Sequence, residues 1–181
     1  MSPSILVARR PTSTCLNFPT PTTSSPPPNL TVASPQGGAS PLDPSSVDAA
    51  KDDEISVEFL HKQSALWEAT TPLSKILRRE IVKKFWESGK VVSAVCHGPA
   101  ALVNVKLSNG DYLLKGKKVA GFSNSEEDAV GLSEKMPFFG EDYEKAGQDW
   151  GEKVIVDGKL LTGKNPASAK VVEEAIMQAI V

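Results

Sequence analysis

The sequence is poor in the residues that build special sites. Its 181 residues include two cysteines and two histidines. Two cysteines are too few for a disulfide scaffold, and they suit a reducing compartment. Cys15 and Cys96 lie in unlike contexts, with only His61 and His97 to join them, and no spacing among the four resembles a zinc site. No apolar run is long enough to cross a bilayer, so no membrane partner is expected. Charges nearly cancel at a formal net of −2, which excludes a general pull toward nucleic acid. One local absence divides the chain: no Asp or Glu occurs before Asp43.

Residues 1–29 read as a tail. "RRPTSTCLNFPTPTTSSPPPN" is built from Pro, Ser and Thr without periodicity, and such a stretch buries too little apolar surface to offset its ordering entropy. A Ser-rich, acid-free start carrying Arg9 and Arg10 also has the composition of a transit peptide, although the prolines oppose an amphipathic helix. The expected location is therefore cytoplasmic, or mitochondrial if the tail is a targeting signal.

From residue 30 to 181 the chain reads as one α/β domain. "LTVASPQGG" is a short strand entering a Gly-rich loop, and a polar, helical stretch comes next, as far as Trp67. "SKILRREIVKKFWESGK" carries a helical stripe of Ile76, Leu77, Ile81, Val82, Phe85 and Trp86, with Gly89 as its stop. "KVVSAV" is an unbroken apolar strand of the kind buried on both faces of a parallel sheet. "GDYLLKGKKVAGF" reads as two short strands around a Lys-Gly turn, and "SNSEEDAVGL" as a helix capped by Ser125 with Asp128. "GEDYEKAG" is a short helix, and "EKVIVDGKLLTG" a hairpin on Asp157-Gly158. The last helix starts at Asn165 and Pro166, with Val172, Ile176, Ala179 and Ile180 on its apolar face. Strands alternating with helices point to a sheet covered by helices.

Chemistry concentrates at "VVSAVCHGPAALV", where Cys96 and His97 sit at a strand-to-helix turn. A helix N-terminus and an imidazole both favour thiolate, the nucleophilic form. Gly98 permits a sharp turn, and backbone N–H groups near it would face an oxyanion formed at Cys96. The same residues also suit a buried thiol acting as a small apolar side chain beside a capping histidine. Position alone leaves both readings open. Glu126, Glu127 and Asp128 read as acids complementing a helix dipole. Trp67, Trp86 and Trp150 read as packing residues. "GKNPASAK" lacks the pattern of a phosphate loop and reads as a helix cap.

"AVCHGPAAL" resembles the nucleophile elbow of the ThiJ/PfpI superfamily, and more narrowly its branch of glutathione-independent glyoxalases (glyoxalase III) and heat-shock chaperones. "TVASPQGGASPLDPSS", "TTPLSK", "GKKVAGFSNSEEDAVGL" and "VDGKLLTGKNPAS" extend the resemblance over 30–181. It implies a flavodoxin-like, class I glutamine amidotransferase-like parallel sheet sandwiched by helices. It also implies conversion of methylglyoxal, a small 2-oxoaldehyde, to D-lactate without a cofactor. Cys96 is then the nucleophile and His97 the acid/base, with Gly98 at the oxyanion and Asn165 and Ser168 lining the pocket. Homodimers are common in this family. Holdase-type chaperone and protein deglycase are alternatives within the same superfamily. A Cys-dependent amidase or peptidase is a further alternative, which the adjacency of His97 to Cys96 opposes.

The departures are local. Members carry a Glu contacting the nucleophile early in the chain, and here no Glu precedes Glu54. Between "TTPLSK" and "REIVKKFWESGK" members have a further strand and a "GGHG"-type loop, and no room for them exists between Lys75 and Arg78. The sequence thus reads as a truncated form lacking two strands, with impaired activity and with the strand near Leu30 separated from the strand near Val91. Transcripts that all encode this form would exclude a gene-model error.

Overall fold

The computed structural model describes residues 6–8, 31–42, 44–76, 79–131, 133 and 148–180. They fall into two compact units that divide after Arg78. The sequence pattern predicts one domain over 30–181. The boundary falls inside the stretch Ser74 to Lys90, which the sequence pattern predicts as a single helix.

The first unit is a three-stranded parallel sheet with short helices. Its strands are β1 (Leu6–Ala8), β2 (Thr31–Ser34) and β3 (Thr71–Pro72), in the order β1-β2-β3. Leu6–Ala8 pair with Thr31–Ala33, so three residues of the stretch expected to be a structureless tail are a strand. The apolar run Leu6–Ala8 is too short to stand out beside the Pro-rich remainder. Cys15 and most of 1–29 lie outside the described residues.

Three helices link β2 to β3: α1 (Pro44–Ala49), α2 (Glu54–Lys62) and α3 (Ala65–Glu68). The Asp53 carboxylate caps α2 by accepting from Ser56 N. After β3 comes α4 (Leu73–Ile76). The Gly-rich loop predicted after β2 is tied to β3's approach: Gly38 and Thr70 exchange backbone hydrogen bonds, and the Thr70 hydroxyl lies 2.7 Å from Ser34 Oγ. Gly37 has φ +75°, and a Cβ there would stand 2.6 Å from the Pro72 ring, so only glycine fits.

The second unit opens with α5 (Arg79–Glu87), and β4 (Val92–Val95) comes next. Its sheet has the order β4-β6-β5, where β5 is Val154–Asp157 and β6 is Leu160–Gly163. β4 pairs parallel with β6, and β5 with β6 antiparallel, as the predicted hairpin requires. Asp157 pairs with Leu160, so the loop is Gly158-Lys159. The Asp157 carboxylate accepts from Lys117 Nζ at 2.8 Å and Lys118 N at 3.0 Å, which hold it below the usual carboxylate range.

The apolar run predicts a β4 buried on both faces. Only Val92 is fully buried, and β4 forms an edge of its sheet among the described residues. The core collects Val92, Leu102, Val105, Leu113, Val119 and Leu160, against which Val82, Phe85 and Trp86 of α5 pack. The predicted stripe of α5 is therefore real for those three. "GDYLLKGKKVAGF" contains no strand. Tyr112 makes one isolated bridge to Lys106, and the rest is turn and extended chain. Its polar groups bond to other segments instead: Ala120 N donates to Thr162 Oγ1 and Phe122 N to Cys96 O.

The α6 helix (Asn124–Ala129) is next along the chain. Its cap is Ser123 paired with Glu126, two residues before the predicted Ser125 and Asp128. The Glu at the third position can reach back to the cap N–H, which the shorter Asp does less well. The predicted helix at "GEDYEKAG" lies outside the described residues. A single 3₁₀ turn (Pro166–Ser168) leads into α7 (Ala169–Ile180), with Val172 buried as predicted. A Cβ on Gly163 would meet Val172 at 2.7 Å, so this glycine lets α7 close onto the end of β6.

Candidate functional site

The site grows from the end of β4. Cys96 is 7% exposed and has φ +61°, a left-handed conformation rare for a residue with a Cβ. Such strain costs on the order of 1–3 kcal/mol and persists only where the surroundings over-determine it. Here both backbone groups are held. Cys96 N donates to Gly163 O at 2.9 Å, and its carbonyl accepts from Phe122 N at 3.1 Å. The sequence places the sharp turn at Gly98, but the strained residue is Cys96 itself. The chain then makes a single 3₁₀ turn, Gly98–Ala101, in place of the expected full helix; Gly98 is exposed and Pro99 buried.

The turn brings neighbours face to face. On a regular strand or helix adjacent side chains diverge, yet here Cys96 Sγ lies 3.3 Å from His97 Nδ1. The other ring nitrogen, Nε2, lies 2.5 Å from Glu127 Oε1. Glu127 is 3% exposed, on α6, and its Oε2 has no partner among the described residues. Thiol, imidazole and carboxylate thus stand in a line. A carboxylate on Nε2 fixes the proton there in the neutral ring and leaves Nδ1 as the acceptor facing sulfur.

Glu127 is a site residue that sequence reasoning misses, because the whole acidic cluster reads as a response to the helix dipole. The signal lies in the capping box: once Glu126 turns inward to cap Ser123, the next residue projects about a quarter turn away, toward the strand ends.

Glu126 is fully buried beside Glu127 and is saturated with donors. Its Oε2 accepts from Ser123 N at 3.0 Å and Ser123 Oγ at 2.8 Å. Its Oε1 accepts from Trp150 N at 2.9 Å and Asn165 Nδ2 at 2.8 Å, with Lys164 Nζ at 3.4 Å. Burial pushes this carboxyl up. The bonds from Asn165, Ser123 and Trp150 together outweigh burial and hold it below the usual carboxylate range.

Asn165 and Ser168, expected to line the pocket, are both fully buried. Asn165 Nδ2 also donates to Gly151 O at 3.0 Å, and Ser168 Oγ accepts from Lys153 N at 3.1 Å and donates to Asn165 Oδ1 at 3.2 Å. Their polar groups are occupied by the protein itself. Among the described residues no group of His, Cys, Asp and Glu is arranged to hold a metal ion.

Trp150 corrects another expectation. It is 49% exposed, so it is no core residue. Its ring meets Phe122 edge-on at 5.9 Å, and Phe122 lies 4.7 Å from the His97 ring. An aromatic row therefore leads from the imidazole to the surface.

A sequence model of the DJ-1/PfpI family matches residues 67–179. "Glyoxalase 3" of Candida albicans is 34% identical over 121 residues, covering 60% of this chain and 51% of that protein. The chain thus spans about half the length of this curated relative. The solved structure of glyoxalase III from Candida albicans superposes with a TM-score of 0.70 at 25% identity, over 83% of this chain and 80% of that one. The Rapid Encystment Protein of Francisella tularensis superposes with a TM-score of 0.82 at 28% identity, over 97% of this chain and 98% of that one. The flavodoxin-like α/β class expected from the sequence is the class of these neighbours.

Proposed function

The chain belongs to the DJ-1/PfpI family, and from that premise we propose that it is a glutathione-independent glyoxalase converting 2-oxoaldehydes to 2-hydroxy acids. The observation that carries the reading is the line from Cys96 Sγ through His97 to Glu127. The names of the Candida relatives support the reaction class.

The chemistry is set by the atoms that meet. His97 Nδ1 takes the thiol proton, and the imidazolium, braced by Glu127 on Nε2, stabilises the thiolate. The thiolate attacks the aldehyde carbon, and the resulting oxyanion takes the proton back from Nδ1, giving a hemithioacetal. Neutral Nδ1 then removes the hydrogen of the former aldehyde carbon as a proton, leaving an enediolate, and returns it to the adjacent carbon while the hydroxyl proton of the first carbon passes to the oxygen of the second. The product of that transfer is a 2-hydroxy thioester on Cys96. Water hydrolyses it, releasing the acid and the thiol. One carbon is oxidised and its neighbour reduced, so no external oxidant is needed.

Proton transfer by a positioned base is typically worth about 10²–10⁴-fold. The oxyanion rests on main-chain N–H groups near Gly98. Members of the family add a Gly-rich loop that has no counterpart between Lys75 and Arg78, and each missing donor costs on the order of 10²–10³-fold. Slow turnover is therefore expected.

The test is methylglyoxal consumption with lactate formation by the purified chain, beside Cys96→Ser. Lactate formation that survives unchanged in Cys96→Ser would refute the assignment.

A further inference from the structure

We propose that Trp150 is the specificity-determining wall of this site, and that it selects 2-oxoaldehydes carrying an aromatic substituent. The inference rests on the glyoxalase reading and names its substrate class.

An exposed tryptophan in a left-handed conformation is costly twice over. Trp150 has φ +61°, the value also found at Cys96. Half its surface faces solvent. The segment that carries it is nevertheless anchored at four points. Trp150 N donates to Glu126 Oε1, Gly151 O accepts from Asn165 Nδ2, and Gln148 O accepts from Lys164 Nζ at 3.1 Å. Asp149 Oδ1 accepts from Ser125 Oγ. Lys164 and Glu126, which do the anchoring, are almost wholly buried themselves, with side chains 2% and 0% exposed. A buried lysine and carboxylate are expensive unless paired and hydrogen-bonded, and here they are spent on a surface segment. The ring carried by the backbone they hold is not in the core.

The ring's only described aromatic neighbour leads to the reacting atoms. Phe122 stacks tilted on His97, and Trp150 stands edge-on to Phe122. A methyl substituent extends one bond beyond the ketone carbon and stays beside the thiol. An aryl substituent extends far enough to lie along the row and meet Trp150 in offset or edge-to-face contact. Aromatic pairs of this kind add up to about 1.5 kcal/mol beyond area burial, so the expected preference reaches about tenfold.

The experiment compares kcat/KM for phenylglyoxal and methylglyoxal in the full chain, in Trp150→Ala and in Lys164→Met, with far-UV circular dichroism to confirm folding. Binding of mandelate and lactate, the two unreactive products, is measured in parallel by ligand-observed NMR. The expected result is a phenylglyoxal to methylglyoxal ratio near ten, lowered about tenfold in Trp150→Ala mainly through KM, with a smaller fall in Lys164→Met. A ratio that Trp150→Ala leaves unchanged overturns the inference alone. Absence of Cys96-dependent turnover, with mandelate binding that still depends on Trp150, overturns the glyoxalase reading and leaves the aromatic wall standing. Equal binding of mandelate to the chain and to Trp150→Ala removes the wall whatever the turnover.

Discussion

Two residues with a side chain take the left-handed conformation among those described, Cys96 and Trp150, and both have φ of 61°. Their surroundings differ. Cys96 is buried at the end of β4 and held by main-chain bonds to Gly163 and Phe122. Trp150 is exposed and held by a buried carboxylate, Glu126. The strain at Cys96 is maintained by the sheet and serves to bring a thiol against its neighbouring imidazole. The strain at Trp150 is maintained by side chains and serves to present a ring. The first is robust as long as the strands pair. The second fails if a single buried side chain is lost.

The comparison breaks most sharply at the thiol. Cys96→Ser is expected to lower turnover by on the order of 10⁴-fold or more while leaving the fold intact, as measured by lactate formation and thermal melting. Next in size is the anchor. Glu126→Ala leaves Lys164 buried and uncompensated, and is expected to destabilise the second unit by about 3–5 kcal/mol in a urea titration. An unchanged midpoint would show that the anchor is idle.

The two adjacent glutamates separate next. Glu127→Gln removes the charge behind His97 and is expected to cost about 10²-fold in kcat with little change in melting temperature. Loss of stability in place of rate would make Glu127 a packing residue.

Acid sharpens the contrast further. The Glu126 carboxyl is held below its ordinary value of 4.5. A depressed folded value contributes stability that is present above the unfolded value and is lost as pH falls through the folded one. Stability is therefore expected to decline below about pH 4.5, with a shallower decline in Glu126→Gln. The smallest effect is expected at Trp150→Gly. It relieves the left-handed strain and is expected to change stability by less than about 1 kcal/mol.

Much of this is legible in the residues. An apolar run ending in Cys-His-Gly-Pro marks a strand end followed by a turn that carries a thiol and an imidazole, because turn geometry is local. The hairpin and the last helix are legible to within a few residues: the loop falls on Gly158-Lys159, one residue past the predicted pair, and Asn165-Pro166 open a 3₁₀ turn before the helix starts at Ala169, with no side-chain cap from Asn165. "GDYLLKGKKVAGF" looks like strands and is not, because an apolar pattern says nothing about whether a partner strand lies alongside. Glu127 is hidden because one acidic run serves two purposes. The family resemblance implies that Asn165 and Ser168 lie near the site, but their saturation by Glu126, Gly151 and Lys153 depends on segments brought from elsewhere in the chain.

By itself, then, the sequence determined the α/β class, the position of the thiol and imidazole at a strand end, and the family that "AVCHGPAAL" resembles. Those properties come from periodicity and from residues adjacent in the chain. Only the tertiary structure decided that Cys96 carries the strain, that Glu127 in place of another acid reaches His97, and that Trp150 is displayed and not buried. Each of those depends on groups far apart in the chain, or on a buried carboxylate whose donors come from three segments, and hydrogen bonding at that range leaves no periodic trace in the sequence.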